Sequence, residues 1–239
     1  MGEFGVTTEP VIGLIFPPAN RPLPDEAKRM YPTGVKFLVT GLGLVKMSPE
    51  GYDAVIPKVE NAAKELRDKG AQGIALMGTP LTFYKGAEFN CNLTQSMHEA
   101  TGLPCITMST AIIEGLKAVN GKRLAVATAY EDEVNRRLVA FLNESGFQAD
   151  SIKGLGLIRI VEKVTEDQLM ALCSDVCRSA PNADSLLISC GGLVALGIHV
   201  ALEKQYKLPV VSSTPAALWA AMRMMGHSGR APGLGKLLE

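Results

Sequence analysis

Residues 185–193 read SLLISCGGL, a short apolar run that ends in a cysteine followed by two glycines. Such a run is typical of a buried strand in a parallel sheet, and the glycines suit a tight turn or a close backbone approach. Cys190 then lies at the carboxyl end of a strand, where open α/β sheets bind their ligands. We expect a helix to begin at Gly191 and Gly192 and to favour an anion there. The alternative is that Cys190 is a small buried hydrophobe beside a turn.

The composition favours an α/β protein with an aliphatic core. Of the 239 residues, 47% are hydrophobic and only 5% aromatic, which suits one large α/β domain or two small ones. Basic and acidic residues balance at 24 each, so neither nucleic acid nor an anionic membrane surface is an expected partner. No apolar run approaches the roughly 18 residues of a membrane helix. The chain is therefore expected to act without nucleic acid or a membrane.

The cysteines indicate a reducing compartment, and we expect a cytoplasmic location. Their number is odd, five, and they lack the spacing of a disulfide scaffold. Residues 1–10 also lack the basic start and apolar run of a signal peptide. Cys173 and Cys177 lie on one predicted helix, but no second pair or nearby histidine completes a metal site, so no metal is expected. A catalytic Cys–His dyad remains an alternative, although no spacing of cysteines and histidines supports one.

Strands and helices alternate along the chain. Strands are predicted at residues 11–16, 35–40, 73–77, 104–108, 123–127, 149–157, 185–189 and 209–212. Helices are predicted at residues 48–69, 87–101, 111–119, 132–145, 165–179 and 216–225, and another ends at Tyr206. A proline-rich loop spans residues 19–32. This order is typical of parallel sheets joined by helices.

Two pairs of segments repeat within the chain. Residues 103–111 (LPCITMSTA) match residues 208–216 (LPVVSSTPA) in kind, and residues 73–79 (GIALMGT) correspond to residues 185–191 (SLLISCG). A duplicated unit of four strands predicts two similar α/β lobes, each a four-stranded parallel sheet flanked by helices. We expect a pseudo-two-fold axis to relate the lobes, and the facing strand ends to enclose a cleft that holds the site.

The first lobe is expected to comprise residues 1–118 and 214–239, and the second residues 119–213. The repeat aligns Gly78 of the first lobe with Cys190 of the second. A cleft with one thiol can protonate a carbanion from one face, whereas exchanging a C–H configuration needs a proton-transfer group on each face. The alignment therefore favours stereospecific protonation.

Nine short motifs follow one another in the order of a known family: PP at 17–18, GLGL at 41–44, PEGYDAVI at 49–56, LMGT at 76–79, FY at 83–84, TGLP at 101–104, TMST at 107–110, ATAY at 127–130 and SCGGL at 189–193. Through these motifs nearly the whole chain resembles the arylmalonate decarboxylase family of the aspartate/glutamate racemase superfamily. Racemases and maleate cis-trans isomerases of that superfamily generally carry two cysteines. Gly78 with Cys190 is the decarboxylase arrangement.

The resemblance implies cofactor-free, stereoselective loss of CO2 from a malonate with an α-aryl or α-alkenyl substituent. One carboxylate leaves from an apolar pocket, and the other becomes an enediolate in an oxyanion hole. The family pattern assigns the donors to the Thr79 hydroxyl and amide, the Tyr130 hydroxyl, and the amides of Cys190 and Gly191. Cys190 then protonates the carbanion as a general acid, which suits a thiol pKa near or above neutral.

The resemblance also implies the substrate contacts. Gly78 faces Cys190 across the substrate, and six side chains form the apolar pocket: Pro17, Leu44, Met47, Tyr52, Leu81 and Val161. Each of the six would equally suit the core. The expected partner is a small dicarboxylate, no cofactor is implied, and the chain is expected to be a monomer or a small homo-oligomer.

One position departs from the family pattern, which has a serine after the threonine where this chain has Pro80. Proline has neither a hydroxyl nor an N–H, so two possible donors to the enediolate are absent. Losing one such donor costs on the order of 100-fold in rate. The departure leaves open a slower enzyme, a substrate that needs fewer donors, or a related reaction.

Two alternative functions remain open. The first is an isomerase or racemase of the same superfamily, similar to maleate isomerase, which Gly78 disfavours unless Cys91 or Cys105 enters the cleft. The second is a non-catalytic protein that binds a small carboxylate, with Pro80 marking lost activity. Thr79 and Ser213 could equally be helix caps.

Overall fold

The fold contains two parallel sheets of four strands each. It is a computed structural model that describes residues 9–157 and 163–239. The first sheet contains β1 (Val11–Phe16), β2 (Lys36–Gly41), β3 (Gly73–Leu76) and β4 (Cys105–Thr107), in the order β2-β1-β3-β4. The second contains β5 (Arg123–Thr128), β6 (Gln148–Gly154), β7 (Ser185–Ser189) and β8 (Val210–Ser212), in the order β6-β5-β7-β8.

Helices flank the two sheets. They are α1 (Asp25–Met30), α2 (Pro49–Val55), α3 (Val59–Asp68), α4 (Thr79–Phe83), α5 (Ala87–Thr101), α6 (Met108–Ala118), α7 (Asp132–Glu144), α8 (Glu166–Ser179), α9 (His199–Tyr206) and α10 (Ser213–Met224). Short 3₁₀ helices lie at Ile56–Lys58, Leu196–Ile198 and Lys236–Leu238. Within the described residues, no helix has the length and apolar character needed to cross a membrane.

The two sheets have the same strand order, which confirms the predicted fold class of two similar α/β lobes. Strand β3 holds the place in the first sheet that β7 holds in the second, and both are buried at every position. Such burial on both faces is typical of parallel strands covered by helices. Just beyond the carboxyl ends of these strands stand Gly78 and Cys190. The predicted division into residues 1–118 with 214–239 and residues 119–213 stays a prediction.

Helix α10 connects the two sheets. It begins directly after β8 and packs against α6, β3 and β4. Its first ten residues, from Ser213 to Met222, are all buried. The helix therefore places Ser213, which follows the last strand of the second sheet, against the first sheet.

The helix expected at Gly191 and Gly192 is not formed, so that prediction is wrong. After β7 the chain turns and becomes helical only at Leu196–Ile198, which α9 follows. The buried Glu26 carboxylate accepts hydrogen bonds from the amides of Ala195 and Leu196, each at 3.1 Å. Because a side chain of α1 satisfies these amides, the helical segment begins there and not beside the thiol.

Three further differences from the predictions have a clear local cause. The loop predicted at residues 19–32 contains α1, whose acidic first turn and basic last turn suit the helix dipole. The helix predicted at residues 48–69 is interrupted at Ile56–Lys58, because Pro57 lacks the N–H that the interior of an α-helix needs. Helix α6 begins before Ser109, because the Thr107 hydroxyl accepts the Thr110 amide at 3.1 Å and caps the helix.

We predict that His199 makes the fold less stable in acid. Its side chain is 1% exposed, and Nε2 lies 2.8 Å from Ser212 Oγ. Burial lowers the pKa of His199 to about 4, so the folded chain holds a neutral imidazole that the unfolded chain protonates below about pH 6.5. Stability is therefore lost as the pH falls from about 6.5 towards 4. Through this residue, the urea unfolding free energy should fall by about 2 kcal/mol between about pH 7 and pH 5.

The control for this prediction is His199→Gln, whose amide can hydrogen-bond but does not titrate. The unfolding free energy of this variant should fall by correspondingly less over the same pH interval. An equal fall in both proteins would contradict the assignment of the effect to His199.

Candidate functional site

A cavity lies beyond the carboxyl ends of β1, β3 and β7. Nine of the predicted site residues line it: Pro17, Leu44, Met47, Tyr52, Gly78, Thr79, Leu81, Cys190 and Gly191. Val161 lies outside the described residues, and Tyr130 is not among the lining residues. Pro80, the departure from the family pattern, also lines the cavity, as do Arg21 and Gly192, which sequence reasoning missed. The fold thus brings residues from distant parts of the chain to one cavity.

The thiol of Cys190 is buried at the cavity wall, with the residue 8% exposed. Its Sγ accepts a hydrogen bond from the Gly192 amide at 3.3 Å. Burial raises the pKa of Cys190 above its ordinary value, although the Gly192 amide and the charge of Arg21 act in the opposite direction. The thiol is therefore protonated at neutral pH, which makes it a proton donor and a poor nucleophile.

The Cys190 amide, expected to serve the oxyanion hole, donates instead to Ser213 Oγ at 3.0 Å. That expectation stays a prediction, because this N–H already has a buried acceptor and a ligand would have to compete with Ser213 for it. Sequence reasoning considered Ser213 only as a helix cap, whereas Ser212 holds the cap position of α10. The repeat could have pointed to Ser213, because it aligns Ser213 with Met108, which directly follows strand β4.

Thr79 stands beside the same serine. Its Oγ1 lies 2.9 Å from Ser213 Oγ and 3.0 Å from Met108 Sδ. Ser213 and Met108, which correspond to each other in the repeat, therefore both contact the Thr79 hydroxyl. Thr79 is not the cap of α4, because Gly78 holds that position. As the first residue of the helix, its amide has no acceptor within the helix. Thr79 therefore offers a backbone amide at the cavity, whereas its hydroxyl donates to Ser213 and Met108 and reaches a ligand only by turning away from them.

Tyr130 is 1% exposed and does not line the cavity. Its hydroxyl is 3.2 Å from Ser189 Oγ, at the end of β7, because Tyr130 follows the neighbouring strand β5. Burial raises the pKa of Tyr130, so its hydroxyl stays protonated. Hydrogen bonding from Tyr130 also lowers the pKa of Cys190, although by less than burial raises it. Tyr130 is thus a neutral donor next to the thiol.

Tyr52, predicted as part of an apolar wall, carries a buried hydroxyl with no hydrogen-bond partner among the described residues. The residue is 1% exposed, and its ring packs against Tyr84 with 5.1 Å between centroids. Burial raises the pKa of Tyr52, so the hydroxyl keeps its proton. A buried donor without a partner costs about 1–3 kcal/mol. Because Tyr52 lines the cavity, a bound ligand is a candidate partner for this hydroxyl.

The other cysteines lie away from the cavity. Cys91 is exposed on α5, and Cys105 is half-buried at the start of β4. Burial raises the pKa of Cys173 to about 12 and that of Cys177 to about 11, as expected for thiols within the core. Over residues 9–157 and 163–239, no group of three potential ligands is placed to hold a metal ion. Cys190 is therefore the thiol that the described cavity presents.

We predict opposite stability changes for two tyrosine variants. Tyr52→Phe should raise the free energy of unfolding by about 1 kcal/mol, because it removes a buried hydroxyl without a partner. Tyr84→Phe should lower it by about 1 kcal/mol, because the Tyr84 hydroxyl donates to Asp53 Oδ1 at 2.6 Å. Urea unfolding of the two variants and the unchanged protein measures both values. If Tyr52→Phe lowered the free energy of unfolding, the conclusion that the Tyr52 hydroxyl has no hydrogen-bond partner would be wrong.

The chain is similar to proteins of known activity over almost its entire length. The arylmalonate decarboxylase family matches residues 12–238. Arylmalonate decarboxylase of Bordetella bronchiseptica is 46% identical over 233 residues, which cover 96% of this chain and 97% of that protein. Maleate isomerase of Nocardia farcinica is 26% identical over 240 residues, which cover 95% of each chain.

A solved structure agrees with this relationship. It is a liganded arylmalonate decarboxylase in which a glycine is replaced by cysteine and a cysteine by serine. Its TM-score to this chain is 0.93 at 45% identity, and the superposition covers 96% of this chain and 99% of that one. Sequence and fold thus agree, and the chain belongs to the arylmalonate decarboxylase family of carboxy-lyases.

Proposed function

We propose that this chain catalyses the cofactor-independent, stereoselective decarboxylation of malonates that carry an α-aryl or α-alkenyl substituent. The observation that carries this proposal is one buried thiol, that of Cys190, in the same cavity as Gly78, where burial raises the thiol pKa and favours its protonated form. Both residues stand at corresponding strand ends, and no other cysteine of the described residues lines the cavity. A malonate bound there receives its new proton from one side.

The apolar wall favours the loss of CO2. Pro17, Leu44 and Leu81 offer no hydrogen bonds from their side chains to a carboxylate. A carboxylate held against them loses hydration, which raises the energy of the charged ground state relative to neutral CO2. The electron pair of the broken C–C bond passes to the α-carbon and into the retained carboxylate, which becomes an enediolate. The aryl or alkenyl group spreads the same negative charge.

Donors that line the cavity, together with Tyr130 beside it, stabilise the enediolate. Thr79 supplies a hydroxyl and an amide, and the hydroxyl of Tyr130 lies next to the thiol. The Gly191 amide, for which no acceptor exists among the described residues, adds a second backbone donor. The unpaired Tyr52 hydroxyl adds a donor that the apolar interpretation of this residue missed. Each donor of this type contributes on the order of 100-fold in rate.

Protonation by Cys190 completes the reaction. The thiol proton passes to the α-carbon, the enediolate becomes a carboxylate, and the sulfur is left as a thiolate. The Gly192 amide, 3.3 Å from Sγ, stabilises that thiolate until solvent returns a proton. Because Gly78 has no side chain to deliver a proton from the other side, the product forms as one enantiomer.

We predict that Cys190→Ala loses product formation while keeping the fold. The loss of CO2 release and monocarboxylate formation from phenylmalonate should be at least about 100-fold, because a positioned general acid contributes that much. Cys105→Ala is the matched control, because it removes a half-buried thiol that does not line the cavity. Circular dichroism compares the folds of both variants.

Retained activity in Cys190→Ala would show that Cys190 is not the general acid. If the unchanged protein released no CO2 but incorporated deuterium from D2O into a chiral 2-phenylpropionate with loss of optical purity, the superfamily racemase would replace the decarboxylase. Binding of phenylmalonate with neither outcome would favour the non-catalytic carboxylate-binding protein.

We predict an alkaline limit to the activity. The thiol must carry its proton to act, and burial raises the pKa of Cys190 above the ordinary value of 9.0. The kcat/KM for phenylmalonate should therefore be constant through neutral pH and fall only above pH 9.0, as the thiol ionises. A pH–rate profile measures this. A decline that begins near neutral pH would contradict the protonated-thiol assignment.

A further inference from the structure

Arg21 is a half-buried cation on the cavity wall that the mechanism above does not use. It follows β1, in the segment that begins with Pro17. Its Nη2 donates a hydrogen bond to the carbonyl oxygen of Gly191, 170 residues away in the sequence. The guanidinium therefore lies beside the loop that carries Cys190.

Arg21 has no carboxylate within ion-pair distance in the parts of the chain that the structure describes. Glu26, an acidic neighbour, already accepts the amides of Ala195 and Leu196. The guanidinium lies over the ring of Phe16, 5.3 Å from its centroid. Burial lowers the pKa of Arg21, although Cys190 and Glu26 act in the opposite direction, and the lowering reflects the cost of keeping a cation from water without a carboxylate at ion-pair distance.

The donors of Arg21 line a cavity in which Pro80 supplies none. Pro80 lines the same cavity and offers neither a hydroxyl nor an N–H. A guanidinium carries several N–H donors in a planar fork that matches a carboxylate. Among the described residues, Gly191 is the acceptor for one of these donors, so the rest are available to a ligand.

We propose that Arg21 binds the carboxylate that the malonate retains, through charge-assisted hydrogen bonds that compensate for the donors missing at Pro80. The proposal rests on the proposed function, because it assumes a malonate in the cavity. A cation beside the departing carboxylate would stabilise the charge that must be lost as CO2. Beside the retained carboxylate, the same cation stabilises the charge that develops on the enediolate.

Binding of phenylacetate tests the proposal without turnover. Phenylacetate is the product expected from phenylmalonate, and it has only the retained carboxylate. Isothermal titration calorimetry compares the unchanged protein with Arg21→Gln and Arg21→Lys. Glutamine can still donate to the Gly191 carbonyl but has no charge, whereas lysine keeps the charge. Lys46→Gln is the matched control, because Lys46 is an exposed cation near Leu44 in sequence that does not line the cavity.

We expect Arg21→Gln to bind phenylacetate about 10-fold to 100-fold more weakly, which is the range for one charge-assisted hydrogen-bonding group. Arg21→Lys should lose less affinity for phenylacetate, and Lys46→Gln should bind it as tightly as the unchanged protein does. Equal affinities for the unchanged protein and Arg21→Gln would overturn the proposal, as would an unchanged protein that binds no phenylacetate.

Kinetics with phenylmalonate distinguishes the two carboxylates. If Arg21 holds the retained group, Arg21→Gln lowers both kcat and kcat/KM. A higher kcat together with a higher KM would place Arg21 on the departing group and overturn the proposal. If the unchanged protein binds phenylacetate through Arg21 but releases no CO2, the decarboxylase function fails while Arg21 stands as a carboxylate ligand.

The variant Pro80→Ser tests the compensation. Serine restores a hydroxyl and an N–H at this position. Arg21→Gln should therefore cost less in kcat/KM when Pro80→Ser is also present. An equal cost in both backgrounds would overturn the statement that Arg21 compensates for Pro80.

Discussion

The hydrogen bond from the Cys190 amide to the Ser213 hydroxyl joins the two parts of the chain on which the site depends. Ser213 begins α10 and also lies 2.9 Å from the Thr79 hydroxyl, so residues beyond β3 and β7 meet at one oxygen. All three residues are buried, and breaking this link would leave polar groups without water or a partner. The thiol and the Thr79 donors are therefore held relative to each other before any ligand binds.

The duplicated architecture supports a site with unequal sides. Strands β3 and β7 hold the same place in their sheets, yet one is followed by Gly78 and the other by Cys190. A Cβ at position 78 would stand only 2.6 Å from Pro17 Cγ, so the first lobe is packed for a glycine at this position. In the proposed mechanism, the repeat gives the two sides of the cavity similar walls. The absence of a side chain at Gly78 then sets the handedness of the product.

Local patterns predicted the regular elements well and the connecting segments poorly. Strands β1 and β7 and helix α5 have the predicted bounds, because continuous apolar runs and a helix-ending glycine are local signals. The helix expected after Cys190 failed because Glu26, 169 residues from Ala195, caps the chain farther on. Arg21 and Glu26 both lie in a segment interpreted as a proline-rich loop, and their partners are remote in sequence.

The sequence by itself determined the approximate strand positions, the duplication and the alignment of Gly78 with Cys190, because each follows from short patterns that can be compared along the chain without knowing which residues touch. Only the tertiary structure decided which polar groups near the cavity already have a hydrogen-bond partner. Packing of the two sheets gives the Cys190 amide an acceptor, leaves the Tyr52 hydroxyl without one among the described residues, and places Arg21 beside Gly191. Hydrogen bonds act only over about 3 Å, and no local pattern encodes which distant residues come that close.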